Sequence, residues 1–463
     1  MRIIFYSTNS NDFNPQTFKI NTLPSNEHFF KIFIKKHPEH KFICVSQLPL
    51  MFMPEKSTIV LDKTLNAFEF ADKISELKPD MAIPLSFWVS PFDWLSVNDC
   101  LAAEKLEQNG IKTFCHPLET NLICFDKRKT HQKLLSEGFF VPKTVFTEHD
   151  LYFCAGSHKE VLHNVYKDSI KSQLKKLKLP LIIKDVSGLS SYGMTVVHSY
   201  GEVICYLNSK RNNSNRIVQE YIEGQQFGIE LYGIPGNYTI FPPFRFSLNQ
   251  YGITSPKQSA KYGPYKIDEY LKNMILKLAN SLNFCGAAQI DLVYSQNKWY
   301  IIEINPRLSG MTFTYCSLFK KSVFDFIFDF CIEKYLKKSK ENNLQKNILD
   351  DFSDNFDDIS GKKNYSYDDN DINSELIFQK KILNIKLPIL SEKTMKNLLK
   401  IKNIIFLNQT NNTEAKQERE KGFCECIIEG KNDEEIKTVL QKLNTLFPLD
   451  SALFAQGYNL IQN

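Results

Sequence analysis

Short apolar runs and helical stripes alternate along the first 120 residues. Arg2–Tyr6, Lys41–Ser46, Thr58–Leu61, Asp80–Pro84 and Ile111–Phe114 are continuous enough in apolar residues to predict buried strands. Helical patterns separate them, clearest over Ala67–Leu77 and over Val97–Asn109, which stops at Gly110. This rhythm predicts a small parallel α/β layer. No glycine-rich dinucleotide fingerprint follows the first strand, so the layer does not imply a nicotinamide cofactor.

A second unit starts near Asn121. Asp126 is placed to cap a helix from Lys127 to Glu137, closed by Gly138, and Phe139–Val145 is extended. A lysine-rich helical stretch is predicted over 150–180, then a strand over Leu179–Lys184, a Gly-Ser loop over Asp185–Gly193 and a returning strand over Met194–His198. Arg216–Glu223 is a further strand ending in a turn at Gly224. Leu271, Met274, Ile275, Leu278 and Leu282 form the stripe of a helix over Lys266–Asn283. Composition turns to Asn, Asp, Lys and Ser from about Tyr335 to Ser374, which predicts an acidic low-complexity linker. Beyond it, strands over Ile382–Lys386, Ile404–Phe406 and Phe423–Ile428 and a helix over Asp433–Phe447 predict a small α+β appendage. The expected domains are therefore 1–120, 121–334, 335–374 and 375–463.

Chemistry concentrates in one predicted hairpin. Ala287–Tyr294 and Trp299–Asn305 are strands joined by the polar turn Ser295–Asn297. Side chains alternate across a strand, so Glu303, Asn305 and Arg307 share one face while Ile302 and Ile304 take the other. If Tyr294 pairs with Lys298, Gln289 lies opposite Glu303, and Asp291 is a diagonal neighbour of Glu303, roughly 7–8 Å away. Two acids so close repel unless a cation or a proton lies between them. A carboxylate, an amide oxygen and a guanidinium in a row suit a hard cation beside a phosphate.

Charge and composition narrow the classes. A formal net charge of +5 on 463 residues, without a basic stripe interleaved with aromatics, does not point to nucleic acid. No apolar run approaches a membrane span. Eleven cysteines scattered mostly through apolar runs, with no signal peptide, predict a reducing, cytoplasmic setting; Cys424 and Cys426 have the wrong spacing for a zinc knuckle. All nine histidines precede residue 200, so a histidine base near the hairpin is not expected. No Gly-x-Ser-x-Gly or Walker motif is present.

Three further elements suit a nucleotide. Lys127 lies in the first turn of its helix, and Lys184 ends a buried strand just before the Gly-Ser loop. In that loop Gly188 and Gly193 free the backbone, and Ser187, Ser190 and Ser191 add hydroxyls, as a lid over a polyanion requires. Glu220, Tyr221, Ile222 and Glu223 form a connector whose backbone can meet an adenine edge.

In this order, Lys127, Lys184 with its lid, Gln219–Gly224, Asp291 and the Glu303-x-Asn305-x-Arg307 run, the chain resembles the ATP-grasp superfamily over roughly residues 115–330. The resemblance implies α/β and α+β architecture: an N-terminal parallel domain, two lobes gripping ATP, and a C-terminal appendage. It implies one or two Mg2+ ions on Asp291, Glu303 and Asn305, with Mn2+ as a substitute. It puts Lys127, Lys184, Ser190, Ser191 and Gly193 on the phosphates, and Glu220 to Ile222 at the adenine. Glu223 or Glu230 would meet the ribose; Gln225 and Gln226 stand where the family often has a glutamate. Arg307 would stabilise an acyl phosphate and the tetrahedral oxyanion. Arg245, Lys257, Lys261, Ser309 and Gly310 are candidate substrate contacts. Leu308–Thr312 differs from the run that follows the arginine in biotin carboxylases, and no second copy of the domain or glutaminase segment argues for a carbamoyl phosphate synthetase. The remaining match is to single-copy amino-acid and dipeptide ligases, which join a small carboxylate to an amine. A ligase of non-amino-acid metabolites and a non-catalytic nucleotide-binding regulator are the rival readings. Many such proteins dimerise, but nothing in the chain fixes an oligomeric state.

Overall fold

The computed structural model describes residues 1–8, 17–20, 26–47, 57–62, 64–85, 95–154, 162–187, 194–248, 260–339, 375–411, 422–446 and 457–461. The N-terminal sheet is parallel and five-stranded, in the order Thr58–Val60, Lys41–Ser46, Arg2–Ser7, Met81–Pro84, Lys112–Thr113. Its central strands are buried on both faces, as their unbroken apolar runs require. The helix Ala67–Glu76 begins where expected because Asn66 and Glu69 form a reciprocal cap, satisfying amides that the first turn leaves open.

A second, antiparallel sheet orders Thr144–Thr147, Arg216–Glu220, Leu181–Asp185 and Thr195–Val197. Ile170 and Leu174 of helix Val165–Leu174 and Val203 and Leu207 of helix Tyr200–Asn208 pack with its core residues Val145, Ile183 and Val218. The lysine-rich stretch over 150–180 thus resolves into Val165–Leu174 and the short helix His149–Phe153.

The third sheet has ten strands. Its path runs Lys298–Asn305, Gly286–Ser295, Gln225–Ile234, Phe244–Phe246, Lys261–Gly263, Lys381–Leu387, Gly422–Gly430, Ile404–Asn411 and Thr17–Ile20, with Asn237–Ile240 paired to Gln225–Ile234. The C-terminal strands therefore continue the sheet that carries the acidic hairpin: Lys261, Tyr262 and Gly263 pair with Asn384, Leu383 and Ile382. Helix Glu269–Ser281 buries Leu271, Met274, Ile275 and Leu278, with Asp268 as its cap setting the start three residues later than the stripe alone suggested. Helical structure also continues through residue 339, and the rest of the expected acidic linker, 340–374, lies outside the described residues.

His116 ties the N-terminal sheet's exit to the hairpin. Its Nε2 lies 2.7 Å from the Ala287 carbonyl and its Nδ1 is 3.1 Å from the Cys285 amide, so Nε2 carries the proton and Nδ1 accepts. Burial pushes its pKa down to about 4, which keeps the ring neutral.

Candidate active site

The hairpin Gly286–Ser295 with Lys298–Asn305 supplies the acids. Tyr294 pairs with Trp299, not Lys298, and an irregularity between Asp291 and Leu292 leaves Ile302 without an opposite residue. The expected register is corrected by this bulge: Asp291 lies directly opposite Glu303, and Gln289 opposite Asn305. Direct opposition brings the two β-carbons to about 4.5–5.5 Å, closer than the diagonal placement. The bulge also keeps both acids on one face, which a plain one-residue slip would not. On the neighbouring strand Gly228 lies opposite Asp291; a β-carbon there would collide with the Phe246 ring and Met311 Sδ.

Lys127 and Lys184 arrive from the other side of the cleft between the two antiparallel sheets. Both line it with Glu303, His131 and Gln219. Lys127 is fixed by helix Lys127–Ser136, whose cap Asp126 accepts the amides of Arg128 and Lys129, and its Nζ is 3.0 Å from Glu303 Oε1. Burial, then the charge of Lys127, lowers the pKa of Lys184 to about 8. Burial, then the neighbouring Glu303 charge, pushes Asp291 up to about 7. Burial works to raise Glu303 as well, but Lys127, Lys184 and Arg307 bring it below the usual carboxylate value.

A polar chain links these groups to Arg307. Arg307 Nη2 donates to Asn305 Oδ1 at 3.2 Å, Asn305 Nδ2 donates to Gln289 Oε1 at 2.7 Å, and Gln289 Nε2 donates to Asp291 Oδ1. Gln289 was missed as a site residue; its signal was the alternation that places it two residues before Asp291.

The turn after Arg307 is held from beneath. Ser309 Oγ and Thr312 Oγ1 donate to Glu230 Oε1 at 2.7 and 2.8 Å, and Tyr232 donates to Oε2 at 3.0 Å. Lys261 Nζ donates to the Gly310 carbonyl. Glu230 is thus a buried support for this turn rather than a ribose contact, and burial pushes its pKa up to about 7 against the three hydroxyls. Ser309 is buried with its hydroxyl committed to Glu230.

Other candidates are placed elsewhere. Arg245 lies opposite Phe227, on the face of Leu292, whereas Asp291 and Gly228 share the opposite face. Its guanidinium donates to the Leu460 carbonyl and sits 5.8 Å from the Tyr265 ring, so it does not join the acids. In the connector, the amides of Glu220 and Tyr221 donate to the carbonyls of Lys143 and Pro180, and the Glu220 carboxylate accepts the Lys178 amide. Any connector amide that meets an adenine must therefore come from Ile222 or Glu223; the Glu223 carbonyl accepts from Ser295. Ser190, Ser191, Gly193 and Lys257 lie outside the described residues.

The chain is similar to known proteins in sequence over one segment and in fold over most of its length. A family model described as an ATP-grasp domain matches residues 124–311. The carbamoyl phosphate synthase large chain of Clostridium botulinum (strain Loch Maree / Type A3) is 26% identical over 144 residues, 30% of this chain and 13% of that protein. A D-alanine–D-alanine ligase of Buchnera aphidicola subsp. Schizaphis graminum is 28% identical over 165 residues, 33% of this chain and 52% of the relative. The chain thus spans only about an eighth to a half of these curated relatives. Among solved structures, an L-amino acid ligase from Bacillus licheniformis superposes with a TM-score of 0.59 at 13% identity, over 96% of this chain and 97% of that one. N5-carboxyaminoimidazole ribonucleotide synthetase from Thermus thermophilus does so with a TM-score of 0.58 at 11% identity, over 96% and 98%. At such identities the two structures share a fold and leave the substrate open. Residues 124–311 thus match an ATP-grasp domain, and the chain has the fold of the ligases it superposes on.

Proposed function

We propose that this protein is an ATP-dependent, ADP-forming carboxylate–amine ligase that joins amino acids through an acyl phosphate. The observation that carries the reading is the opposed pair Asp291 and Glu303, flanked by Lys127, Lys184 and Arg307 between two antiparallel sheets. Two half-buried acids held face to face, the Asp291 carboxyl pushed up to about 7 by desolvation and its neighbour's charge, form a site that a divalent cation relieves. The donor set fits magnesium: Asp291, Glu303 and Asn305 would hold it through two carboxylates and an amide oxygen, all hard oxygen ligands. Magnesium there supplies charge neutralisation for the polyphosphate.

The protein's own groups do the rest. Lys127 and Lys184 neutralise phosphate charge as the γ-phosphoryl group passes to the substrate carboxylate, a transfer that needs positioning and electrostatics rather than covalent help. Arg307, oriented by Asn305 and by the Leu308 carbonyl, stabilises the acyl phosphate and then the oxyanion formed when the amine attacks. Phosphate leaves and the amide remains. The amine acceptor, the lid residues Ser190, Ser191 and Gly193, and Lys257 are assigned on the sequence alone. The proposed setting is the cytoplasm, where thiols such as Cys100 and Cys115, 3.6 Å apart, stay reduced. Among the described residues no helix is long and apolar enough to cross a membrane.

The test is phosphate release from Mg-ATP against pooled L- and D-amino acids, with mass spectrometry of the products. A new mass equal to two amino acids less water establishes the reaction. Release only with carboxylates that are not amino acids would overturn the amino-acid part and keep the ligase.

A further inference from the structure

Three thiols gather where the N-terminal sheet reaches the acidic hairpin. Cys115 and Cys285 line a small cleft together with Asp99, His116 and Arg307. Cys115 is half-buried and sits in the short link between strand Lys112–Thr113 and helix Leu118–Phe125. Cys100, from helix Leu95–Gln108, is buried at 1% exposure. The Cys100 and Cys115 sulfurs are 3.6 Å apart. Cys100 is held there from two sides: Asn121 Nδ2 donates to its sulfur at 2.8 Å, and its own thiol donates to the His116 carbonyl at 3.1 Å. A disulfide needs about 2.05 Å between its sulfurs, so an approach of about 1.5 Å would join the two.

From this geometry we propose that Cys100 and Cys115 form a reversible disulfide when a hydroperoxide enters the cleft, and that the bond disturbs the active site beside it. The second half rests on the ligase reading above; the first does not. Cys115 reacts first, because it is the thiol of the pair that the cleft exposes. Its thiolate takes one oxygen of the hydroperoxide and becomes a sulfenic acid, while the other oxygen gains a proton and leaves as water or an alcohol. The Cys100 thiol then attacks the sulfenic sulfur, the S–S bond forms, and a water departs with the Cys100 proton. Two electrons pass from the two sulfurs to the peroxide. The Cys100 sulfur and burial hold the Cys115 thiol well above its usual range, so little of it is thiolate at neutral pH. The pair therefore stays reduced in an ordinary cytoplasm and answers only sustained peroxide. The connection to the site is the next residue. The His116 ring bonds the Ala287 carbonyl and the Cys285 amide, at the start of the strand that carries Gln289 and Asp291. Drawing Cys115 toward helix Leu95–Gln108 pulls on those bonds, and a misplacement of about 1 Å at reacting groups costs up to about 100-fold.

Non-reducing peptide mapping by mass spectrometry tests the bond on the full-length protein, held first with excess hydrogen peroxide and then with dithiothreitol. A Cys100–Cys115 cross-link should appear with peroxide, vanish with dithiothreitol and be missing in Cys115→Ser. Phosphate release from Mg-ATP should fall about 10- to 100-fold as the cross-link forms, return on reduction, and persist in Cys115→Ser under the same peroxide. Both thiols still free after peroxide, or Cys115 joined to Cys285 instead, would overturn the pairing. Full activity in the cross-linked protein, or equal losses in wild type and Cys115→Ser, would overturn the connection to the site. If Cys115→Ser does not fold, the wild-type cross-link and the return of activity on its reduction decide both points. A reduced wild type that releases no phosphate with any donor would refute the ligase reading before peroxide is added, and the cross-link is then judged by mass alone.

Discussion

Replacing Glu230 with glutamine should stabilise the protein at alkaline pH relative to its behaviour at acidic pH. The carboxyl titrates at about 7 in the folded chain, because burial outweighs the hydroxyls of Ser309, Thr312 and Tyr232. In the unfolded chain it titrates at about 4.3. A carboxyl with a raised folded pKa favours folding fully below the unfolded value, and that contribution is lost as pH rises through the folded value. With about 1.4 kcal/mol per unit, the loss between pH 5 and pH 8 is about 2–3 kcal/mol, and it should vanish in Glu230→Gln. The glutamine oxygen can still accept from Ser309 and Thr312, which share Oε1. Its amide must meet the Tyr232 hydroxyl, a cost that does not depend on pH. Urea unfolding of both proteins at the two pH values, followed by tryptophan fluorescence, measures the gap. A gap that is the same at both pH values refutes the reasoning. So does a wild type that gains on the variant as pH rises, since the hydroxyls would then outweigh desolvation.

Glu303→Gln and Arg307→Ala should each lower phosphate release by about 100-fold or more with an unchanged melting temperature; wild-type release from either removes that residue from the site. Gly228→Ala should cost about 1–3 kcal/mol, because its β-carbon meets Phe246 and Met311 well inside contact distance. An unshifted thermal midpoint would show that both neighbours yield. Lys184 must be charged to meet phosphate, so kcat/KM for ATP should fall as pH rises above about 8. Lys184→Arg should move that limb upward, and a limb that stays in place would assign it to another group.

Local pattern carried the hairpin, the cap at Asp126 and the stripe Leu271 to Leu278, because each is set within a few residues. The bulge opposite Asp291 was not legible: one extra residue changes the pairing without changing the alternation of either strand nearby. Long-range partners escaped for a different reason. Glu230 and Ser309 meet across 79 positions, and Arg307 and Asp99 line one cleft from elements far apart in the chain. Nothing in either neighbourhood announces the other. Arg245 shows the converse: a basic residue near the site in sequence lies on the wrong side of the sheet, which only the pairing with Phe227 decides.

The pairing of Lys261–Gly263 with Lys381–Leu387 sets a timetable for biosynthesis. The strand that holds Lys261 leaves the ribosome about 120 residues before its neighbour, roughly 6–24 s at ordinary elongation rates. Through that interval it is a short, open edge beside an incomplete nucleotide cleft. The sheet that carries the acids is therefore complete only once the chain has been translated through Gly430.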